Sequence, residues 1–596
     1  MSSAAYVVGK NSKAKFTLKI HRGERMCLLA MSWKKGKPPN DFVGFAIDYV
    51  EPGGRLMHVR NRITFPEDSG SVSKRALSSH VAPIQKFRWV HFPNDAHQPG
   101  KFAYTVTPVF MDAHDQLSYG EPQKAAIDLS TETHPGKLSV NFTRGFISSQ
   151  AFVDRFASDN AQVNTILPGK GEIAITFQPS HKNAEQALSW MGFDGRKASL
   201  ALLDAAIADK HAEVSMVAYD LDSPEIMERL KKLGKRVRVI IDNDPNSAHE
   251  VSKRRPDEPD ENRAEQFLKK SAGASNVKRQ HMASIQHNKM LVVQSPKLQA
   301  AICGSTNYSW RGYYVQNNHV VIVSGKKAVK PFADAFEQYW SSDSPDEFAK
   351  SDCSDWKALG LSGVDVQVTF SPHGKQKSVL QSVGDDIRTA KSSVLYSIAF
   401  LGASSGAIHD AIFDLTSAGK VFVYGIADKP IKTKVATGHR AATDHNFKGI
   451  VLQQSDGNIA PVNPQQLAAG APEPFKSEPT GGSGARMHHK FVVIDFGTPD
   501  ARVYFGSHNM SLSADEKNGE NLLLVKDPRV ATAFGIEALR IFDHYEFRVA
   551  ADAAKKAKHQ FKQVALKKPP RATGEQAWWE KDYTVSHRIR DRELFS

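Results

Sequence analysis

Two copies of a His-x-Lys motif lie about 200 residues apart, and each begins a similar stretch of sequence. The first copy covers residues 287–294 and is followed by Gly-Ser-Thr-Asn at 304–307. The second covers residues 488–495 and is followed by Gly-Ser-His-Asn at 506–509. The chemically active side chains are His287, Lys289 and Asn307 in the first copy and His488, Lys490 and Asn509 in the second. Together they would let one pocket attack a phosphodiester from one side and protonate its leaving group from the other.

Extended backbone explains how the histidine and the lysine of each motif can act together. Side chains at positions i and i+2 of a strand point to the same face, so both project into one cavity. The residues that follow, 290–293 and 491–494, are apolar throughout, as expected of a strand buried on both faces. Phosphodiester cleavage needs a nucleophile, stabilisation of charge on the non-bridging oxygens and a proton for the leaving alkoxide. Two imidazoles, two ammonium groups and two amides supply all three.

The adjacent pair His488 and His489 raises the question of a metal ion. No cysteine, aspartate or glutamate stands at ligand spacing from them, and in a strand their side chains point to opposite faces. The sequence therefore predicts metal-free chemistry without a cofactor. The histidines expected to be hydrogen-bonded structural residues are His181, His281, His319, His373, His489 and His508.

The paired motifs closely resemble those of the phospholipase D superfamily, and the resemblance covers roughly residues 170 to 550. It implies that one histidine attacks phosphorus to give a phosphohistidine. The other would protonate the leaving alcohol and then activate water or an acceptor alcohol. By analogy with single-chain members, His287 is the nucleophile and His488 the acid and base, although the reverse assignment uses the same residues. The phosphoryl oxygens would be held by Lys289, Lys490, Asn307 and Asn509.

This chain departs from the family pattern at two positions of the first half. Family members place a carboxylate downstream to orient an imidazole, and Glu520, eleven residues past Asn509, fits that place. The same spacing from Asn307 gives Asn318, an amide. The family's full HKD motif also has an aspartate, which the first copy replaces by Gln294. The related tyrosyl-DNA phosphodiesterases lack this aspartate too. An asymmetric site is predicted, with supporting roles for Asp495, Ser305, Ser507 and Asn318.

Shared landmarks predict that the chain contains two β/α halves, at residues 170–345 and 362–550. The landmarks are the segments 175–182 and 368–375, the strands 214–219 and 394–400, helices that end at Gly234 and Gly419, and the strands 237–242 and 421–426. We therefore expect an α/β fold in which two fused phospholipase D-like halves form one pseudo-twofold domain pair. Two insertions, 244–281 and 430–486, interrupt the repeat, and the second is equally consistent with a lid and with a surface loop.

The flanking segments carry no catalytic constellation. Residues 1–150 show period-two alternation at 16–20 and 102–110 between turn clusters, which predicts an all-β sandwich that resembles fibronectin type III modules. Residues 551–596 form a basic tail. Its aromatic residues Trp578, Trp579 and Tyr583 are expected to pack on the second half.

Composition limits the class of protein. The 596 residues are 40% hydrophobic with a formal net charge of +14 and a pI near 9.3, which favours phosphate-bearing partners. No apolar run approaches the roughly 20 residues of a transmembrane helix, and the N-terminus lacks a secretory signal. Three scattered cysteines, Cys27, Cys303 and Cys353, form no disulfide framework. A cytoplasmic location is expected, and secretion without a cleaved signal stays open.

Three functions remain open from the sequence. The first is cleavage of a glycerophospholipid headgroup bond, with or without transfer to an alcohol, by a protein in peripheral contact with the membrane. The second is a nuclease or DNA-end phosphodiesterase, favoured by basic residues near Lys253, Lys269, Lys270, Lys278 and Arg279. The third is a weakly active adaptor that binds anionic ligands, favoured by Gln294 and Asn318. Both active-site halves lie on one chain, so a monomer would suffice.

Overall fold

A computed structural model gives the fold of the chain. It describes residues 5–61, 63–66, 77–93, 95–129, 132–145, 156, 164–168, 172–243, 260–399, 401, 406–427, 432–433, 445–446, 450–453, 459–462, 487–556 and 565–596. Residues 244–259 and most of the 430–486 insertion lie outside this set, and with them the choice between a lid and a surface loop.

The N-terminal segment forms two main antiparallel sheets. The first contains, in spatial order, Tyr6–Val8, Phe16–Arg22, Cys27–Trp33 and Arg88–His91. The second contains Leu117–Tyr119, Lys101–Met111, Phe42–Val50 and Leu56–His58, with Gln123–Asp128 also paired to Lys101–Met111. A short separate pair joins Arg60–Asn61 to Leu77–Ser78. Alternate residues of the two main sheets, among them Phe16 and Phe102, share one apolar core, which confirms the period-two strands predicted at 16–20 and 102–110.

The first half contains a mixed sheet of seven strands. In spatial order these are Leu138–Phe142, His319–Ser324, Gln299–Gly304, Lys289–Gln294, Glu213–Ala218, Val237–Asp242 and Val277–Gln280. The helices of this half are Ala184–Ala208, Pro224–Leu233, Asp260–Ala272, Lys326–Ser341 and Pro345–Lys350. The motif strand Lys289–Gln294 lies at the centre of the sheet, and its first five residues are buried. That position accounts for its unbroken apolar sequence.

The second half repeats this order in a sheet of nine strands. These are Lys357–Ala358, Asp365–Ser371, Glu520–Lys526, Arg502–Gly506, Lys490–Ile494, Ser393–Ile398, Phe422–Ala427, Ile450–Gln453 and Ile459–Val462. Its helices are Leu380–Arg388, Ala407–Ala418, Leu512–Glu516 and Pro528–Lys556, and the chain ends with Lys581–Thr584 and Ser586–Phe595. Gly234 and Gly419 both follow the last helical residue at positive φ, which confirms the two predicted helix ends.

One of the repeated landmarks does not form the same structure in both halves. Asp365–Ser371 is a strand paired antiparallel to Glu520–Lys526, but the matching segment of the first half contains only a 3-10 turn, Ala174–Thr176. In the first sheet the equivalent place is taken by Leu138–Phe142, paired antiparallel to His319–Ser324. Leu138–Phe142 completes that edge of the sheet, so the later segment has no strand to pair with there.

The two halves meet through a pair of equivalent contacts beside the motifs. Gln286 pairs with Gly519, and Asn317 pairs with Met487, each as a parallel bridge. The backbone N–H of Gly519 donates to the carbonyl of Ile285 at 3.1 Å. The first bridge therefore fixes the residue before His287 against the residue before Glu520. The second fixes the residue before His488 against the residue before Asn318.

The prediction for the aromatic residues of the tail was wrong. Trp579 is buried in the core of the N-terminal sheets, and the Trp578 indole N–H donates to the carbonyl of Phe42 at 3.0 Å. The Tyr583 hydroxyl accepts from the backbone N–H of Trp33 at 3.3 Å. These indole and phenol rings have large apolar areas, which they bury against the apolar core of the N-terminal sheets. Among the described residues, no helix combines the length and the apolar character that crossing a bilayer requires.

Candidate active site

The two motif histidines lie side by side at the junction of the halves. The centroids of the His287 and His488 rings are 6.5 Å apart, with their planes at 74°. Each histidine lies just before its motif strand, and both side chains are almost completely buried. The two sheets therefore bring both imidazoles to one place at the junction, close enough for both to contact one phosphoryl group.

His287 of the first half is held by a carboxylate of the second half. Its Nδ1 lies 2.7 Å from Oε1 and 2.9 Å from Oε2 of Glu520. Glu520 is itself fully buried at the start of its strand. A carboxylate that accepts from Nδ1 leaves the lone pair of Nε2 available on the other side of the ring.

His488 has an amide where His287 has a carboxylate. Its Nδ1 lies 2.9 Å from Asn318 Oδ1 and 3.1 Å from the carbonyl oxygen of Ser305. The Asn318 amide group donates to the carbonyl of Gly312 at 2.9 Å, and the Ser305 hydroxyl donates to Asn318 Oδ1 at 2.9 Å. Because both partners of Nδ1 are acceptors, this nitrogen carries a proton. The sequence position of Asn318 is thus structurally equivalent to Glu520, with a neutral oxygen.

Both motif lysines fold back along their own strands. Lys289 Nζ donates to the carbonyl of His287 at 2.5 Å, and Lys490 Nζ donates to the carbonyl of His488 at 2.8 Å. Lys289 Nζ also lies 4.8 Å from the centroid of the Tyr219 ring. These contacts place each ammonium group beside the imidazole of its own motif, as the i, i+2 spacing predicted.

Burial raises the pKa of the acid in this cluster and lowers the pKa values of its bases. It raises the pKa of Glu520 to about 8, because the protein interior disfavours the carboxylate even with Lys289 nearby. It lowers the pKa of Lys289 to about 8. Burial, helped by the charges of Lys289 and Lys490, also holds the pKa values of His287 and His488 well below the ordinary histidine value. Both imidazoles are therefore neutral at neutral pH.

The two motif asparagines leave buried polar atoms open to a ligand. Asn307 Nδ2 donates to Asp220 Oδ2 at 2.5 Å, while Asn307 Oδ1 has no hydrogen-bond partner. Asn509 Oδ1 is likewise without a partner. An unsatisfied buried polar atom costs about 1–3 kcal/mol, and because both open atoms are acceptors, a water or a hydroxyl donor beside them would be favoured.

The remaining supporting residues, Ser507 and Asp495, form hydrogen bonds that hold the backbone around the site. The Ser507 hydroxyl accepts from the backbone N–H of Asn521 at 2.9 Å and also hydrogen-bonds the Glu520 carboxylate. Asp495 lies at the far end of its strand, where Oδ1 accepts from the backbone N–H of Ser392 at 2.7 Å. Its counterpart Gln294 is exposed. The difference between Asp495 and Gln294 therefore affects how the end of each motif strand is held, and it does not alter the side chains around the two imidazoles.

Several residues of the site were not predicted from the sequence. Tyr219 stacks edge-on against His287 with ring centroids 4.7 Å apart, and Asp220 holds Asn307. Both directly follow the buried strand Glu213–Ala218, and the end of a strand that pairs with a motif strand is the signal that could have found them.

The middle residues of the two motifs also join the halves. Asn288 Oδ1 accepts from Asn521 Nδ2 at 2.6 Å. At the equivalent place, the Nδ1 atoms of His489 and His319 lie 3.2 Å apart in nearly parallel rings, and His489 Nε2 bonds Glu537 at 3.0 Å. His319 and His489 are thus buried, hydrogen-bonded structural residues, as predicted.

Among the described residues, one of two His–Asp groups that could hold a metal lies behind Asn509. In this group, His373 Nδ1 lies 2.8 Å from Asp515 Oδ1 and His508 Nε2 lies 3.5 Å from the same oxygen. The backbone N–H of Met510 donates to His508 Nδ1 at 2.9 Å, so Nε2 of the neutral ring carries the proton. Nitrogens that carry protons have no lone pair for a metal, and we interpret this group as a hydrogen-bonded network.

Comparison with solved structures gives matches of low identity. They include a polyphosphate kinase from Porphyromonas gingivalis (11% identity, TM-score 0.35, 66% of this chain and 53% of that chain). A second match is a phosphatidylserine synthase from Haemophilus influenzae (12% identity, TM-score 0.36, 68% of this chain and 93% of that chain). A third is a phospholipase D family member, Nuc, from Salmonella typhimurium (21% identity, TM-score 0.19, 24% of this chain and 87% of that chain). This chain thus spans about half of the length of the polyphosphate kinase. A search of curated proteins by sequence gave no match.

The family comparison gives a match in each half. The model of the cardiolipin synthase, PLD-like domain family matches residues 203–340 and 383–541. Each matched segment contains one His-x-Lys motif with its Gly-Ser-x-Asn turn. The two segments are also the ones that form the two sheets with the same strand order. This chain belongs to the phospholipase D superfamily.

Proposed function

We propose that this protein is a phospholipase D-type phosphodiesterase that cleaves the headgroup bond of a glycerophospholipid through a phosphohistidine intermediate. The observation that carries the proposal is the pair of imidazoles 6.5 Å apart, each held at Nδ1 by the opposite half. Such a pair has one Nε2 for attack and one for proton transfer.

His287 is the better nucleophile of the two because its partner is a carboxylate. In the first step its Nε2 forms a bond to phosphorus while the bond from phosphorus to the headgroup oxygen breaks. The ring becomes positively charged as it is phosphorylated, and Glu520, 2.7 Å from Nδ1, stabilises that charge. Asn318 offers His488 only a neutral oxygen.

His488 transfers the proton. Burial and then the nearby ammonium groups lower the pKa of His488, and the negative charge of a bound phosphodiester raises it, which favours the imidazolium that the first step needs. Its Nε2–H then passes to the departing alkoxide. In the second step the neutral ring accepts a proton from water, the water oxygen bonds phosphorus, and the bond to His287 breaks. An acceptor alcohol in place of water would give transphosphatidylation.

The non-bridging oxygens are held by cations and amides from both halves. Lys289 and Lys490 supply the positive charge, and the Nδ2 groups of Asn307 and Asn509 supply N–H donors, since Asn307 Nδ2 keeps a second N–H beyond its bond to Asp220. In a buried site these groups stabilise the transition-state charge more strongly than water would. Because both halves lie on one chain, a monomer suffices for this chemistry.

A pocket of the first half, at the start of the helix Pro224–Leu233, supports a cationic headgroup. It measures about 330 Å³ and is lined by aromatic and acidic side chains, including Phe177, Trp310, Glu225 and Glu228. Trp310 follows Asn307 by three residues, so the turn that carries the amide also forms part of the pocket wall. Aromatic faces attract quaternary ammonium groups. Glu225 is already paired with Arg196, whereas Glu228, whose partner Lys231 lies 3.6 Å away at the exposed surface, adds negative charge. We propose that choline or a similar ammonium alcohol binds there.

The basic segments that favoured a nucleic-acid substrate are partly neutralised within the protein. Lys269 pairs with Glu265 at 2.6 Å, and Arg279 reaches the same carboxylate at 3.4 Å. Lys278 pairs with Asp343 at 2.6 Å. Lys253 lies outside the described residues. Cations that already have carboxylate partners contribute less to phosphate binding, which supports the lipid substrate over the nuclease.

The proposal is tested with the purified chain in EDTA, given phosphatidylcholine vesicles, supercoiled plasmid or single-stranded DNA in parallel. We expect choline and phosphatidic acid to be released and both DNAs to stay intact. Cutting of DNA without choline release would establish the nuclease. Binding of anionic vesicles without either product would establish the adaptor function.

Glu228→Gln tests the headgroup pocket. We expect the KM for phosphatidylcholine to rise about fivefold, since a partly exposed carboxylate–cation contact contributes about 1 kcal/mol. The KM for phosphatidylglycerol should be unchanged, because that headgroup carries no cation. Glu213→Gln, which removes an exposed carboxylate outside the pocket, is the matched control. Equal effects on both lipids would contradict the assignment of the pocket.

We also propose the domain limits that surround this site. Residues 1–150 would form a β-sandwich-like unit resembling fibronectin type III modules, and residues 170–345 and 362–550 the two pseudo-twofold halves. The shared core of the two N-terminal sheets supports the first of these limits. The tail, residues 551–596, would fasten the unit to the second half. In support, the Phe595 carbonyl hydrogen-bonds His21 Nε2 at 2.6 Å, and the Phe595 ring packs against Phe422.

A further inference from the structure

Three side chains of the N-terminal sheets converge on one point of the surface. Asp48 lies in the strand Phe42–Val50, and His58 stands directly opposite it in Leu56–His58. His80 follows the short strand Leu77–Ser78. His58 Nδ1 lies 2.6 Å from Asp48 Oδ1, and His80 Nε2 lies 2.9 Å from Asp48 Oδ2. Two imidazole nitrogens and a carboxylate therefore meet within 4.8 Å of one another.

The group is both accessible and held in place. The side chains of His58, His80 and Asp48 are 49%, 34% and 17% exposed, so an ion can reach them from solvent. The two imidazole rings stand at 90° with centroids 5.5 Å apart, and the Tyr119 ring packs 5.5 Å from His80. Strand pairing fixes the backbones of Asp48 and His58 against each other. Little reorganisation is needed for all three to face one ion.

Proton positions separate this group from the buried one around Asp515. In the buried group a backbone N–H occupies Nδ1 of His508 and forces the proton onto the nitrogen that faces the carboxylate. In the surface group, His58 and His80 are each held through one nitrogen, which faces Asp48. Either ring can move its proton to the other nitrogen and present a lone pair to an ion.

We propose that Asp48, His58 and His80 form a binding site for a divalent transition-metal ion of the zinc class. Two imidazole nitrogens and one carboxylate oxygen are donors that Zn²⁺ and Co²⁺ accept readily, whereas Mg²⁺ and Ca²⁺ prefer oxygen alone. The ion would replace the protons that now join the histidines to Asp48. It would link two strands to the turn that carries His80 and keep a coordination position open to solvent.

The site belongs to the N-terminal sheets and takes no part in the proposed phosphodiesterase chemistry. Its role is to brace the strands that carry the ligands, because an ion that binds only the folded state stabilises it. Activity in EDTA and metal binding are therefore independent measurements. Failure of either proposal leaves the other unaffected.

The experiment titrates Zn²⁺ into the full chain, first freed of metal with EDTA and then transferred to buffer without chelator, by calorimetry. We expect a site that binds one equivalent. Asp48→Asn and the double variant His58→Gln/His80→Gln should each weaken it at least about tenfold, since losing even an outer-shell partner of a metal costs 10- to 100-fold. Asp48→Asn keeps a hydrogen-bond acceptor for both rings, so the fold is preserved.

His114→Gln is the matched control, because His114 is an exposed histidine of the same sheets outside the group. It should bind Zn²⁺ as the wild type does. A rise in Tm with Zn²⁺ that is seen in the wild type and lost in Asp48→Asn would support the site independently. Undiminished binding in both ligand variants, or no wild-type site tighter than about 1 mM, would overturn the proposal.

Discussion

His287→Ala is expected to abolish turnover of every substrate, whereas His488→Ala should spare the first step for substrates with a good leaving group. Without His287 no bond to phosphorus can form, and we expect a loss of at least about 10⁴-fold. Without His488 a poor leaving group such as choline departs without a proton, which costs about 10²–10⁴-fold. A p-nitrophenolate group needs no proton to leave.

Stopped-flow release of p-nitrophenol from a p-nitrophenyl phosphodiester separates the two roles. His488→Ala should give a burst of one equivalent and then stall, because the phosphohistidine lacks a base to activate water. His287→Ala should give no burst, and intact mass spectrometry should find the phosphorylated chain in the first variant alone. His211→Ala, at an exposed site, should match the wild type. A burst in His287→Ala with none in His488→Ala would exchange the roles; no burst in either would exclude the covalent intermediate.

The pH dependence of kcat/KM should be a narrow bell centred near pH 8. Burial raises the pKa of Glu520 to about 8, and its carboxylate form is needed to accept the proton of His287 Nδ1. Activity therefore rises as the pH increases through the pKa of Glu520. Burial lowers the pKa of Lys289 to about 8, and its ammonium form is needed to hold the phosphoryl oxygens. Activity therefore falls as the pH increases through the pKa of Lys289.

Glu520→Gln should remove the acid limb of that bell and leave the alkaline limb. Glutamine can still accept from His287 Nδ1, but it neither titrates nor offsets the charge of the phosphorylated ring. We expect kcat to fall about 10²–10³-fold at pH 8, the range of a lost charge-stabilising group. Asn318→Asp is the complementary variant, since it would give His488 the carboxylate that His287 already has. An acid limb near pH 8 that persists in Glu520→Gln would show that another group controls it.

The parts of this protein that follow local rules could be predicted from its sequence. A period of two places His287 beside Lys289, and unbroken apolar residues identify Lys289–Gln294 as a central strand. The same pattern repeats at Lys490–Ile494. Each rule concerns residues within a few positions of one another, where backbone geometry alone decides the outcome.

Pairing at edges and between halves had to come from the tertiary structure. Leu138–Phe142 and the 3-10 turn at Ala174–Thr176 both precede the strand Glu213–Ala218 along the chain, and only packing decides which of them reaches the edge of the sheet. Trp579 would have been equally buried against the second half or the N-terminal sheets. Apolar character states that a side chain will be buried and does not state against what.

In the active site, too, local sequence patterns predicted some features and tertiary packing decided the others. Sequence spacing alone determined that Glu520 and Asn318 are equivalent. Only the fold decided that Glu520 serves His287, 233 residues away and in the other half, while Asn318 serves His488. The physical reason is that the halves face each other across two equivalent strand contacts, so each half supplies the partner of the other's imidazole. Convergence of Asp48, His58 and His80 likewise depends on strand register, which no local pattern along the chain contains.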